Sequence, residues 1–178
     1  MSGRFRTPKG GRIRRTRPLS FMFNGQCYIG FDGDTLASAL LANGVRTITR
    51  SFKYHRPRGI VGSGAEEPNA VLQLGEGAYA TPNQRATQVE LREGLVAQSV
   101  IGWPGIKFDF YAINNFIGRL LPAGFYYKTF MRPRFLWRWY EHHIRNAAGL
   151  GKAPTEPDPD RYDKMNSHCD VLIVGAGP

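Results

Sequence analysis

The chain has 178 residues, a formal net charge of +10 and an ordinary hydrophobic content of 42%. This length allows one domain of about 100 residues plus an extension, and no apolar run approaches the ~20 residues that cross a bilayer. The start of the chain also lacks the hydrophobic core of a secretory signal, so we expect a cytoplasmic protein with no membrane contact.

Residues 1–18 form a basic arm, with seven Arg or Lys residues and no acidic residue. Such an arm can bind nucleic acid, acidic lipid or an acidic protein surface, and its composition also resembles an organelle transit peptide. It can equally be a solvated or partner-docked terminus with no binding role. Most of the net charge of the chain lies in this arm.

A folded domain is predicted at residues 19–95, and it begins with a β-hairpin. Residues 19–23 and 26–31 flank the pair Asn24-Gly25, which readily takes the positive φ angles of a two-residue turn. A helix is predicted next, at 35–43, with Asp34 as its cap and Gly44 as its left-handed stop.

Three more strands are predicted, at residues 45–52, 70–74 and 87–91. The order of two strands, a helix and further strands indicates an α+β fold of the β-grasp type, the architecture of plant-type ferredoxins. Between the third and fourth strands lie residues 53–69 without regular structure. Loops of that length in compact domains are usually functional or disordered.

A [2Fe–2S] cluster in a ferredoxin of this type is held by cysteines spaced C-x4-C-x2-C, with a fourth further on. The segment Pro57-Arg58-Gly59 resembles the P-R-G before the cluster loop in small ferredoxin-like subunits of amine dehydrogenases. With that anchor the cysteine positions fall on Gly62, Glu67, Ala70 and near Thr87. None offers a thiolate, so we predict a ferredoxin-like domain without a cluster and no metal site.

The two cysteines of the chain, Cys27 and Cys169, fall in different predicted domains. This count excludes a cluster-bearing electron carrier and argues against a disulfide framework.

Three roles remain open for the basic residues of the long loop. The favoured one is a scaffold surface that packs on a neighbouring domain or subunit. Alternatively, Arg56 and Arg58 hold a flavin phosphate at a subunit interface, or they pair with Glu66 and Glu67 across the loop.

Residues 96–168 are predicted to be an aromatic interdomain linker with one helix, from Pro133 to residue 148. Gly149 would stop this helix. His142 and His143 are adjacent and point in different directions, so they are not predicted to chelate one ion. The aromatic side chains are too many for the segment to bury alone, and we expect them to face another domain or subunit.

Residues 169–178, C-D-V-L-I-V-G-A-G-P, read as the first strand and glycine loop of a truncated dinucleotide-binding Rossmann domain. The third glycine, the helix and the acidic residue of that motif do not follow, so the sequence is expected to be a fragment. The other interpretation is an edge strand with a glycine tail.

Four segments together resemble the N-terminal region of the α subunit of heterotetrameric sarcosine oxidases, and the likeness covers nearly the whole chain. These segments are G-D-T-L-A-S-A-L-L-A-N-G-V at 33–45, S-F-K-Y-H-R-P-R-G-I at 51–60, K-F-D at 107–109 and L-P-A-G-F-Y-Y-K-T-F at 121–130. One departure is Arg14, where that family often has Asp.

The resemblance implies a parent enzyme that oxidises N-methylglycine with O2, giving glycine, a one-carbon unit for tetrahydrofolate and hydrogen peroxide. It implies NAD on the α subunit, with FAD and covalent FMN working with the β subunit, and as partners the β, γ and δ subunits and the remaining α domains. The residues carried over are Val174, Gly175 and Gly177, for the dinucleotide. No catalytic residue is carried over, and the fragment alone is expected to be inactive.

A basic RNA-binding module is the alternative of a different class. Its aromatics would be interleaved with its basic clusters, whereas here they are segregated at 103–140, away from 4–17 and 46–58. We therefore expect no nucleic-acid partner. A purely structural β-grasp module also stays open.

Overall fold

A computed structural model describes residues 5–118, 133–149 and 151–175. It consists of a mixed sheet, one helix packed on that sheet, a small two-strand ladder and a later helix. The strands are β1 Arg14–Phe23, β2 Gln26–Asp32, β3 Thr49–Arg50, β4 Pro57–Arg58, β5 Val71–Leu74, β6 Thr81–Arg85 and β7 Leu95–Ser99. The helices are α1 Leu36–Ala42 and α2 Trp137–Ala148, with 3-10 turns at Gly77–Tyr79, Phe110–Asn115 and Arg134–Leu136.

The predicted hairpin is confirmed, with φ angles of 49° at Asn24 and 76° at Gly25. Strand β1 starts earlier than predicted, because Arg14 pairs with Asp32 of β2 in the ladder. Their side chains also form an exposed ion pair at 3.4 Å. Part of the basic arm is therefore strand.

The sheet has the order β2-β1-β7-β5-β6. The neighbouring strands β1 and β7 run parallel, with Phe21 opposite Leu95, and the other neighbouring pairs are antiparallel. This mixed sheet with α1 across it confirms the predicted α+β class and has the β-grasp order. The buried core joins the sheet to the helix through Phe21, Phe23, Leu36, Leu40, Ile48, Leu72, Leu95 and Ala97.

The cap of α1 differs from the prediction. Thr35 is the N-cap, and it forms a capping box with Ser38. Asp34 instead accepts hydrogen bonds from the Phe31 amide and the Ser38 hydroxyl. The predicted stop is confirmed, since Gly44 has a φ of +79°.

One predicted strand is much shorter than expected, and another is wrong. Of residues 45–52 only Thr49–Arg50 is a strand, and it pairs with Pro57–Arg58 outside the main sheet. Residues 87–91 form no strand, although Leu91 is buried as its apolar character requires. The backbone at 86–89 instead caps α1, because the carbonyls of Ala86 and Val89 accept the first amides of that helix.

The predicted later helix is confirmed as the 3-10 turn Arg134–Leu136 followed by α2, and Gly149 ends it with a φ of +66°. In the part of the chain that the structure describes, no helix is long and apolar enough to cross a membrane.

The strand predicted at the end of the chain is not formed. Residues 171–174 belong to no helix or strand and have exposed fractions of 75–88%. A strand of the parallel kind needs hydrogen-bonded neighbours and two covered faces, and none of the described strands pairs with this segment.

Candidate functional site

The loop before β5 folds around one carboxylate, that of Glu67. This side chain is fully buried, although the loop around it is largely exposed. One of its oxygens accepts the amides of Val61 and Gly62, and the other accepts those of Asn69 and Ala70, at donor–acceptor distances of 2.5–3.1 Å. We call these four amides and the carboxylate the Glu67 cradle.

The cradle favours the ionised carboxylate. Burial alone would raise the pKa of Glu67, but hydrogen bonds from the four amides outweigh it and hold the pKa below the ordinary value. No ion pair of Glu67 is found among the described residues. Its negative charge is therefore stabilised by backbone dipoles rather than by a cation.

The four predicted cluster positions do lie together. Gly62 and Ala70 contribute amides to the cradle, and a Cβ added at Gly62 would lie 3.2 Å from the Cα of Glu67. Thr87 donates its hydroxyl to the Gly64 carbonyl at 2.8 Å, across the same loop.

These residues do not fit a [2Fe–2S] cluster. The ferredoxin type needs four thiolates, and a glycine, a glutamate, an alanine and a threonine stand at the four positions. The amides are also already taken by Glu67. Across residues 5–118, 133–149 and 151–175, no group of three or more His, Cys, Asp or Glu side chains is placed to hold a metal ion.

The predicted pairing of the loop arginines with Glu66 and Glu67 is wrong. Glu66 is exposed and accepts the amides of Ser63 and Gly64, and hydrogen bonds to backbone amides, its own included, lower its pKa. Arg56 donates to Asn115 at 2.6 Å and lies over the Tyr54 ring. Backbone amides compete better for these carboxylates because they are fixed at short range in the loop.

A second buried polar cluster was missed at the sequence level. Nδ1 of His55 forms a 2.6 Å hydrogen bond with one carboxylate oxygen of Asp109. Nε of Arg50 lies 3.5 Å from the same oxygen. The other oxygen of Asp109 accepts the amides of Trp103 and Tyr111. The side chains of Asp109 and His55 are 0% and 1% exposed, which closes the cluster to solvent.

This cluster ties the start of the long loop to the segment after β7. Arg50 donates to the carbonyls of His55 and Ile106 at 2.7 and 2.8 Å. His55 has a φ of +52°, a left-handed conformation that is uncommon for a residue other than glycine. The signals available in sequence were the motifs that contain His55 and Asp109, but nothing local indicates that they meet.

The basic arm is held by acidic residues of the domain. Arg6 forms a bidentate pair of hydrogen bonds with Asp34, at 2.7 and 3.0 Å, and the Asp34 side chain is fully buried. Arg14 and Arg17 both approach Asp32. Arg6 and Arg14 are thus engaged within the domain, which supports the docked form of the arm over a free basic tail.

The predicted dinucleotide residues are not gathered into a site. Val174 is 88% exposed, a Cβ added at Gly175 would meet no atom within 4 Å, and Gly177 lies outside the described residues. Their assignment to a cofactor stays a prediction.

Residues 16–101 match the family of 2Fe-2S iron-sulfur cluster binding domains. The chain is 57% identical to sarcosine oxidase subunit alpha of Rhizobium meliloti (strain 1021), over 98% of this chain and 18% of that protein. It is 33% identical to sarcosine oxidase subunit alpha of Corynebacterium sp. (strain U-96), over 95% and 13%. The chain therefore spans less than a fifth of the length of these curated relatives.

Among solved structures, L-proline dehydrogenase from P. horikoshii is similar over 48% of this chain and 16% of that one. The sequence identity is 20% and the TM-score 0.37, a likeness too slight to bear on the fold.

Proposed function

We propose that this chain is the N-terminal part of a sarcosine oxidase alpha subunit. The proposal rests on its homology to the N-terminal region of such subunits and on its ferredoxin-like domain. In this proposal the domain is a scaffold for assembly and carries no electrons. The identity of 57% over nearly the whole chain supports the assignment.

The parent enzyme would oxidise N-methylglycine with O2 to glycine, a one-carbon unit for tetrahydrofolate and hydrogen peroxide. Its flavins would lie with the β subunit and NAD with later domains of the α subunit, and the γ and δ subunits would complete the heterotetramer. No residue of the present chain is assigned a catalytic role. A cytoplasmic location is part of the same proposal.

The observation that argues against electron transfer by this domain, and so favours a scaffold role, is the Glu67 cradle. A ferredoxin loop uses its backbone amides and thiolates around a cluster, whereas here the amides of Val61, Gly62, Asn69 and Ala70 surround a carboxylate. A carboxylate in this position can fix the loop but cannot accept an electron.

Exposed aromatic and aliphatic side chains after β7 support the assembly role. Phe116 is 85% exposed and Phe108 63%, and they belong to a stretch in which Trp103, Phe110 and Ile113 are also mostly exposed. Apolar groupings of this kind mark contacts with other protein surfaces. We propose that they face the remaining domains of the alpha subunit.

The test of the scaffold proposal is a chemical analysis of iron and sulfide. The purified chain, and the oxidase that contains it, are expected to show no thiolate-to-iron absorption from this domain, even after anaerobic reconstitution with iron and sulfide. As a control, a plant-type ferredoxin is reconstituted in parallel. Stoichiometric iron and acid-labile sulfide in the chain would overturn the proposal.

We also propose that Gly175 and Gly177 begin a dinucleotide site that residues further along the subunit complete. Calorimetry is expected to detect no NAD or flavin binding by residues 1–178, and binding with a micromolar or lower Kd once about 200 further residues are present, as expected for a Rossmann domain. Gly177→Val should abolish that binding, because a side chain would intrude where the backbone must approach pyrophosphate. The matched control is Val171→Ile, a conservative change in the same segment. Stoichiometric NAD binding by residues 1–178 alone would show that the site lies elsewhere.

A further inference from the structure

We propose that the loop at residues 61–70 is an anion receptor whose resident ligand is the Glu67 carboxylate. It follows that a free carboxylate the size of acetate binds the same four amides once that side chain is removed. This inference rests on the contacts of Glu67 and not on membership of any oxidase.

The first step is the geometry of the cradle. Each carboxylate oxygen accepts two amides, one pair from Val61 and Gly62 and the other from Asn69 and Ala70. Four converging N–H groups form a concave anion site of the kind that backbone nests provide. Two oxygens with two donors each match a carboxylate and do not match a spherical halide.

The second step is that the cradle is held by bonds that do not involve the Glu67 side chain. The Ala70 carbonyl accepts the Ala86 amide at 2.8 Å, and the Ala86 carbonyl accepts the Ala37 amide of α1 at 2.9 Å. The Gly64 carbonyl accepts the Thr87 hydroxyl at 2.8 Å. These bonds anchor Gly64 and Ala70 to the folded core independently of the Glu67 side chain, so we expect the four donors to stay close together when that side chain is shortened.

The third step is the size of the ligand. Glu67→Ala keeps the Cβ and removes one methylene and the carboxylate, which together have the composition of acetate without one hydrogen. The space left is buried, because Glu67 is fully inaccessible. Unpaired amide donors in such a space favour an anion that restores their hydrogen bonds.

The experiment compares Glu67→Ala with Glu66→Ala in the whole chain, in sodium acetate and in sodium chloride at equal ionic strength. Glu66 is the matched control, because it is adjacent and also accepts two amides but is exposed. Acetate should raise the Tm of Glu67→Ala saturably and recover more than half of the loss, with no such effect on Glu66→Ala. In amide NMR spectra, the signals of the four cradle amides should return toward their wild-type positions.

If Glu67→Ala does not fold in chloride, the same comparison is made on refolding, and acetate must restore the native circular dichroism spectrum where chloride does not. Equal effects of acetate and chloride on Glu67→Ala, or equal acetate effects on the two variants, would overturn the proposal.

Discussion

Glu67→Ala is expected to destabilise the domain that contains the five-stranded sheet by about 4 kcal/mol or more, a large effect for one substitution in a loop. The wild-type carboxylate satisfies four backbone amides. Alanine leaves them without an acceptor in a buried space, and each unpaired buried donor costs about 1–3 kcal/mol, reduced where water or relaxation can reach it. Urea unfolding at neutral pH measures the loss.

Two variants separate the charge of Glu67 from its loop position. Glu67→Gln keeps one carbonyl oxygen for one pair of amides but turns an NH2 group toward the other pair, so we expect an intermediate loss of about 2 kcal/mol. Glu66→Ala should change stability little, because that carboxylate is exposed. Equal stability of Glu67→Ala and Glu66→Ala would contradict the role assigned to the cradle.

The contribution of Glu67 should depend on pH with a definite sign. Its folded-state pKa is lowered from the ordinary value of 4.5 by the four amides, which outweigh the opposing effect of burial. The stabilisation is therefore fully present above the ordinary pKa and is lost as pH falls through the lowered folded value. The stability difference between wild type and Glu67→Gln should narrow in that acid window and stay constant above it.

Local signals explain which elements the sequence predicts correctly. The Asn24-Gly25 turn, the left-handed stop at Gly44 and the stop at Gly149 each depend on the φ preference of one or two residues. Such preferences act within a few residues, so neighbouring sequence is enough to predict them. The hairpin, α1 and α2 all follow from signals of this kind.

The elements predicted wrongly depend on partners distant in sequence. Residues 87–91 have the apolar pattern of a strand, and Leu91 is indeed buried, but the adjoining carbonyls bind the first turn of α1. Residues 45–52 likewise supply Ile48 to the core while only Thr49–Arg50 finds a strand partner. Apolar periodicity predicts which side chains are buried, but it does not predict where backbone hydrogen bonds go.

In the candidate site too, one part was predictable from the sequence and another was not. The sequence spacing predicts that Gly62, Glu67, Ala70 and Thr87 lie close together, and the structure confirms that they are neighbours. The role of Glu67 as an acceptor for four amides could not be predicted from the sequence, because it depends on the path of the whole loop. The pairing of His55 with Asp109 joins residues 54 positions apart, and no local pattern predicts it.

Two buried carboxylates thus fix the long segment between β3 and β5. Asp109 holds its start through His55, and Glu67 holds its end through the cradle. Neither depends on a metal for its contacts, since both are satisfied by protein donors. The loop that would surround a cluster in a ferredoxin is therefore folded by carboxylates of the chain itself.

Asp109→Ala is expected to destabilise the domain by about 4 kcal/mol, because removing one partner of a buried charged cluster leaves the others uncompensated. Arg50 is buried beside Asp109, and the amides of Trp103 and Tyr111 would lose their acceptor. Urea unfolding followed by tryptophan fluorescence measures the change. Because His55 would also lose its partner, amide exchange near the start of the loop should accelerate.

Asp109→Asn and Asp32→Ala are the controls for this prediction. Asparagine keeps an oxygen for the two amides, but it loses the charge and places an NH2 group where His55 and Arg50 now meet an oxygen, so its loss should be smaller than that of alanine and well above that of Asp32→Ala. Asp32 makes exposed ion pairs with Arg14 and Arg17 at 3.4 Å, and surface pairs of this kind contribute about 0–1 kcal/mol. A loss for Asp109→Ala no larger than that for Asp32→Ala would show that the buried cluster does not hold the loop. A large loss at Asp109 and not at Asp32, with faster exchange at His55, would establish that the two segments are held together by this one carboxylate.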